Sequence, residues 1–135
     1  MSAPDAYRPL VAMADDDDMH AEWVEMWLCM HGFDVVRFGT GDALLSWAAD
    51  AAPGRGAPVH AVLLDVEMPG RDGFATHAEL RKLSHFTGTP ILFVSGMSPD
   101  LLSVRASSAS EPAMQKGADL LPRLTEWLRA CQVPV

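Results

Sequence analysis

Short apolar runs alternate along the chain with segments whose apolar residues recur every three or four positions. LVAMA at residues 10–14, just after Pro9, reads as a strand. From Met19 to His31, Trp23, Met26, Trp27 and Met30 fall at i, i+3, i+4 and i+7, which predicts a helix burying that face. Gly32 stops it, since glycine readily takes the left-handed conformation that closes a helix. FDVVRF (33–38) is a second strand, ending at Gly39, and GDALLSWAADAA (41–52) a second helix, broken by PGRGAP (53–58). VHAVLLD (59–65) is almost wholly apolar, as a strand covered on both faces must be. MPGRDG (68–73) is a loop, FATHAELRKL (74–83) a third helix and PILFVS (90–95) a fourth strand. SPDLLSVRASSA (98–109) reads as a short helix with Ser98 at its N-cap. PAMQK (112–116) is a thin fifth strand, with only Ala113 and Met114 apolar. In LLPRLTEWLRAC (120–131), Leu120, Leu121, Leu124, Trp127, Leu128 and Cys131 share one helical stripe, and Pro122 lies near the first turn, where it is tolerated. Trp23, Trp27, Trp47 and Trp127 are expected as core or half-buried packing.

A strand and a helix repeated five times predict a doubly wound α/β domain, a parallel sheet with helices on both faces. The 135 residues fit one domain, 1–135, with its core over about 8–132. A hydrophobic fraction of 49% with 21% charged residues is a globular composition. The net charge of −8 argues against a general nucleic-acid or anionic-membrane surface, because phosphates attract Lys and Arg. No apolar run approaches the ~20 residues of a membrane span, and MSAPDAYRPL lacks the pattern of a secretory leader. Cys29 and Cys131 have no metal-ligand spacing and read as reduced thiols, so a cytoplasmic protein is expected.

The chemistry gathers at strand ends. In an open parallel sheet, ligands bind beyond the carboxyl edge. The first strand ends in Asp15 and Asp16, the third in Asp65, the fourth in Ser95 and the fifth in Lys116. Three carboxylates brought together repel one another unless a cation joins them, and hard oxygen ligands with room for water suit Mg²⁺. A cation, a Lys and a hydroxyl around one carboxylate are the parts that phosphoryl transfer needs for positioning and charge neutralisation. Asp65 is then the nucleophile, Asp15 and Asp16 hold the metal, and Ser95 and Lys116 bind phosphoryl oxygens. Asp17 and Asp18 read as solvated acids at a helix N-terminus. His20, His31, His60, His77 and His85 are scattered without ligand pairing, and His20, though close to the acids in sequence, is expected at the surface.

With these residues in place, the chain resembles the receiver domain of two-component response regulators over about residues 8–132. VAMADDDD resembles the family's first strand with its acidic pair, AVLLDVEMPGRDGFA its phosphoacceptor segment, and TPILFVSG its fourth strand with a Ser or Thr. The resemblance implies a flavodoxin-like five-stranded sheet in the order 2-1-3-4-5. It also implies phosphorylation of Asp65 by a histidine kinase or histidine phosphotransfer protein with Mg²⁺, and completion of the metal shell by the backbone carbonyl of Glu67. Output then passes through an unknown downstream protein partner. KGADLL offers a second alignment, in which the fifth strand follows Asp119 and no Lys follows it; the chain left over is too short for a strand and a helix, which favours Lys116.

Three departures stand out: Gly117 where the family has Pro, Ala113 where it has an aromatic residue, and the acid Glu67 beside the acceptor. The Glu67 side chain is expected near the phosphoryl group and able to pair with Lys116 beforehand. Ala113 has no ring to move, so phosphorylation-linked change is expected in residues 96–110 and not on the last helix. Two other functions stay open: a degenerate receiver acting as a phosphorylation-independent protein-binding module, and a small phosphohydrolase using Asp65 and Glu67. The first is favoured by Ala113 and Gly117; the second lacks a segment for a substrate cap.

Overall fold

The computed structural model describes residues 8–50 and 59–131. The expected break at 53–58, the last two residues of the second helix, position 132 and most of the N-terminal stretch read for a leader lie outside the described residues. The strands are β1 (Leu10–Ala14), β2 (Asp34–Phe38), β3 (Val59–Asp65), β4 (Ile91–Ser95) and β5 (Ala113–Gln115). The helices are α1 (Asp18–Met30), α2 (Gly41–Asp50), α3 (Gly73–Leu80), α4 (Pro99–Ser108) and α5 (Leu120–Ala130). A 3-10 turn at Ser84–Phe86, absent from the sequence reading, links α3 to β4.

All strand pairs are parallel, in the order β2-β1-β3-β4-β5. The register places Ala14 opposite Leu64, so Asp15, just past β1, and Asp65, the last residue of β3, emerge at one level on adjacent strands. Ser95 pairs with Gln115, which leaves Lys116 as the next residue out. One core lies between the sheet and α1 and α5, built on Val11, Met13, Leu63 and Leu92. The other lies beneath α2, α3 and α4, built on Ala12, Leu64, Ile91 and Phe93. With apolar side chains on both faces, the central strands are the continuous apolar runs of the sequence.

α1 buries a different stripe from the expected one. Ala21, Val24 and Leu28 face the sheet, while Trp23 is 51%, Met26 59% and Met30 74% exposed. Both stripes have helical spacing, but the one facing the sheet carries the smaller side chains, which admit close helix–sheet approach. Trp27, half-buried between the two, donates its indole N–H to Thr125 Oγ1 at 2.7 Å and ties α1 to α5. Gly32, with φ +97°, follows the end of α1 in the left-handed conformation expected of it. Ser98 occupies the N-cap of α4, but its side chain makes no capping hydrogen bond. α3 ends at Leu80, short of the expected Leu83.

Candidate functional site

The carboxyl edge of the sheet collects the polar residues that terminate its strands. One carboxylate oxygen from each of Asp15, Asp16 and Asp65 lies within 4.8 Å of the others. Asp15 and Asp65 are 4% and 5% exposed, whereas Asp16 stands in solvent. Lys116 Nζ lies 3.4 Å from Asp15 Oδ2 and 3.4 Å from Asp65 Oδ2. Its position is set by the strand, since the Lys116 N–H donates to the Ser95 carbonyl at 2.7 Å. Ser95 is fully buried, and its Oγ accepts the N–H of Met97 at 3.0 Å. Two close-packed positions fix the loop behind Asp65: the Gly73 N–H donates to the Val66 carbonyl at 2.9 Å, and the Asp72 side chain caps α3 by accepting the Ala75 N–H at 2.8 Å.

The three acids beyond Asp15 separate by role. Asp16 has no hydrogen-bonded or ion-paired partner among the described residues. Asp17 is the N-cap of α1 and accepts the His20 N–H at 3.1 Å, and Asp18 sits in the first helical turn. Carboxylates there complement the helix dipole, as expected from sequence.

Two expectations fail at this edge. His20 is not a surface residue: its Nδ1 lies 2.9 Å from Asp15 Oδ2, and its side chain is only 16% exposed. Five positions of sequence separate the two, but the turn from β1 into α1 folds the first helical turn back over the strand end. The signal present in the sequence was a His in the turn that follows a strand-terminal acid. Glu67, expected to pair with Lys116, is exposed and forms no ion pair among the described residues; the Lys116 ammonium is taken by the two buried aspartates. A further half-buried cluster, unseen in the sequence, joins α3 and the residue after it to the segment before β5: Glu111 Oε2 accepts from His77 Nε2 at 2.8 Å and from Arg81 Nε at 3.0 Å.

The electrostatics of the buried pair are asymmetric. For Asp65, burial and the nearby Asp15 charge outweigh the Lys116 ammonium, and its pKa is raised from 3.8 to about 7. For Asp15, burial acts upward too, but the His20 hydrogen bond, the Asp17 N–H and Lys116 prevail and lower its pKa to about 2. A folded-state pKa above the unfolded one means that the native chain binds a proton the unfolded chain releases. The contribution of Asp65 to stability is therefore complete below pH 3.8 and is lost as pH rises through about 7. The contribution of Asp15 has the opposite sign: it is present above pH 3.8 and is lost as pH falls through about 2. In a chelating buffer the melting temperature should fall between pH 5 and 8, and the fall should be smaller in Asp65→Asn. Scanning calorimetry of both proteins across that range checks this; equal slopes would remove Asp65 as the source.

The match to the response regulator receiver domain model covers residues 11–119. The transcriptional regulatory protein AruR of Pseudomonas aeruginosa is 32% identical over 93 residues, which are 69% of this chain and 36% of that protein. The chain thus spans about a third of the curated relative it matches. Among solved structures, the Vibrio cholerae chemotaxis protein CheY4 superposes with a TM-score of 0.78 at 22% identity, covering 93% of this chain and 99% of that one. A chain of the CheX–CheY–BeF3–Mg²⁺ complex from Borrelia burgdorferi gives a TM-score of 0.78 at 14% identity, covering 99% and 96%. These likenesses carry the fold; the family itself rests on the sequence match that runs from β1 to the start of α5, and by that match the chain belongs to the response regulator receiver domains.

Proposed function

We propose that Asp65 accepts a phosphoryl group from a histidine kinase or histidine phosphotransfer protein in the cytoplasm, and that the domain then signals through altered binding of a downstream protein. The observation that carries this is the convergence of Asp15, Asp16, Asp65, Ser95 and Lys116 at one sheet edge, with the acceptor carboxylate buried among them. The donor set fits a hard divalent cation: three carboxylates supply oxygen only, two are buried, and the exposed Asp16 leaves the site open to water. Asp15, Asp16, Asp65 and the backbone carbonyl of Glu67 would hold Mg²⁺. When bound, Mg²⁺ supplies charge neutralisation for the phosphoryl oxygens. A related fold has been captured in the Borrelia complex with BeF3 and Mg²⁺.

In the transfer, an Asp65 carboxylate oxygen attacks phosphorus while the bond from phosphorus to the donor histidine nitrogen breaks. The products are an aspartyl phosphate and a free imidazole. Lys116 Nζ, 3.4 Å from Asp65 Oδ2, can carry its charge to the incoming phosphoryl oxygens. Ser95 Oγ accepts from Met97, which leaves its own hydroxyl hydrogen to donate. The domain is a recipient of the group and not a multiple-turnover enzyme.

Incubation with acetyl phosphate and Mg²⁺ followed by intact mass measurement tests the reading. One labile phosphoryl adduct supports it. Absence of an adduct supports the phosphorylation-independent binding module, which Ala113 and Gly117 favour, and rapid turnover of phosphoesters supports a phosphohydrolase. Asp16→Ala should lose most Mg²⁺ affinity, whereas Asp18→Ala should keep it and lose only about 0.3–1 kcal/mol of stability from the helix terminus. Calorimetric titration with MgCl₂ separates the two; a greater loss in Asp18→Ala would move the metal site into α1.

A further inference from the structure

Both oxygens of Asp15 are engaged by groups of this chain. Oδ1 accepts the Asp17 N–H at 2.9 Å, and Oδ2 faces His20 Nδ1 at 2.9 Å and Lys116 Nζ at 3.4 Å. The His20 N–H in turn donates to Asp17 Oδ1 at 3.1 Å, which closes a ring of hydrogen bonds through Asp15, Asp17 and His20. An ionised carboxylate only accepts, so the shared hydrogen belongs to the imidazole and His20 carries it on Nδ1. The ring also borders the small space around Asp15 and Asp65 that Val24, Leu120 and Leu124 line. On that side the imidazole meets apolar side chains and the aspartates, on the other Met19, Glu22, Trp23 and Met26, and its one side-chain hydrogen bond goes to Asp15. Asp16, by contrast, is exposed and unpartnered among the described residues.

We propose that His20 is a positioning residue of the metal site: its Nδ1–H locks the Asp15 carboxylate against rotation, so that one ligand of a divalent cation is oriented before the cation binds. This rests on the reading of Asp15, Asp16 and Asp65 as a Mg²⁺ site. Groups that hydrogen-bond a ligand from behind typically account for about 10–100-fold in metal affinity. Leucine fits the apolar lining but cannot donate, whereas the side-chain amide of asparagine can place an N–H where Nδ1 stands. Packing and hydrogen bonding are therefore separable.

The test is calorimetric titration of the full chain with MgCl₂, for wild type, His20→Leu and His20→Asn, each checked for native circular dichroism. His20→Leu should bind about tenfold or more weakly, and His20→Asn should recover most of that loss. Unchanged or tighter binding in His20→Leu would overturn the proposal, the latter by showing that His20 competes with the cation for Oδ2. Equal loss in both variants would overturn it too, by assigning the effect to ring shape. A second measurement needs no variant: imidazole ¹⁵N shifts of the wild type should place the hydrogen of His20 on Nδ1, and a bare Nδ1 would refute the proposal. Wild type that binds no Mg²⁺ would sink this inference together with the metal reading. Wild type that binds Mg²⁺ and is labelled on Asp65, with His20→Leu binding equally well, would sink this inference alone.

Discussion

Asp65→Asn should take up no phosphoryl group from acetyl phosphate and Mg²⁺ under conditions expected to label the wild type. An amide oxygen is a far poorer nucleophile than a carboxylate. Asp15 is buried beside Asp65, but its oxygens are occupied by Asp17, His20 and Lys116. Asp16 is exposed and has no ammonium group within reach among the described residues. The same substitution should raise stability in a chelating buffer at pH 8. There the wild type holds two buried like charges next to each other, and the cost shows in the raised pKa of Asp65, about 7. Removing one charge should gain on the order of 1–2 kcal/mol. A chemical denaturation series at pH 8 measures the gain, and mass spectrometry the labelling. Stoichiometric labelling in Asp65→Asn would transfer the acceptor role to another carboxylate.

Gly73→Ala should be the most damaging single-methyl change near the site. A Cβ at residue 73 would lie 2.4 Å from the Asp65 carbonyl oxygen and 2.9 Å from Val66 Cα. Both obstacles are backbone, so no side chain can swing aside. The first turn of α3 must move off the end of β3, or the acceptor residue must shift, and the hydrogen bond from Gly73 N–H to the Val66 carbonyl is lost or stretched. Overpacking of this kind costs about 1–3 kcal/mol. Labelling of Asp65 should fall as well, because the displaced segment carries the acceptor. Gly88→Ala is the control: nothing lies within 4 Å of a Cβ there, and its effect should stay within about 0.5 kcal/mol. Equal denaturation midpoints for the two variants would show that α3 does not approach β3 as closely as described.

Much of the architecture was legible because burial on two faces writes itself plainly into a strand. VHAVLLD and PILFVS could hardly be anything else, and the acids that follow such runs mark the sheet edge. β5 was legible only through its surroundings, since Ala113 and Met114 carry little signal; the space needed by α5 fixed the strand before Lys116. α1 shows the limit of periodicity. Trp23, Met26 and Met30 form a stronger apolar stripe than Ala21, Val24 and Leu28, yet the weaker stripe is buried. Hydrophobicity measures the gain from leaving water, not the fit against a neighbour that the sequence does not display. His20 was misplaced for a related reason, as its partner is chosen by the angle at which α1 leaves β1. The pairing of Glu111 with His77 and Arg81 depends on how α3 and β5 are brought together, which no local pattern encodes.

β1 lies between β2 and β3, and this sets the order in which the molecule can assemble. β1 and β2 are joined by a short crossover and can pair early, but the second neighbour of β1 is β3, and their pairing must wait for the closure of a much longer loop. Non-local parallel pairing of this kind is slow to nucleate. A chain emerging from the ribosome exposes one edge of β1, with Asp15 and Asp16 beyond it, until β3 has been synthesised and docked. The acidic edge therefore exists only once β3 has docked on β1, so a cation joining Asp15 and Asp16 to Asp65, as proposed, would discriminate the docked sheet from its precursors and should slow unfolding by bridging that seam.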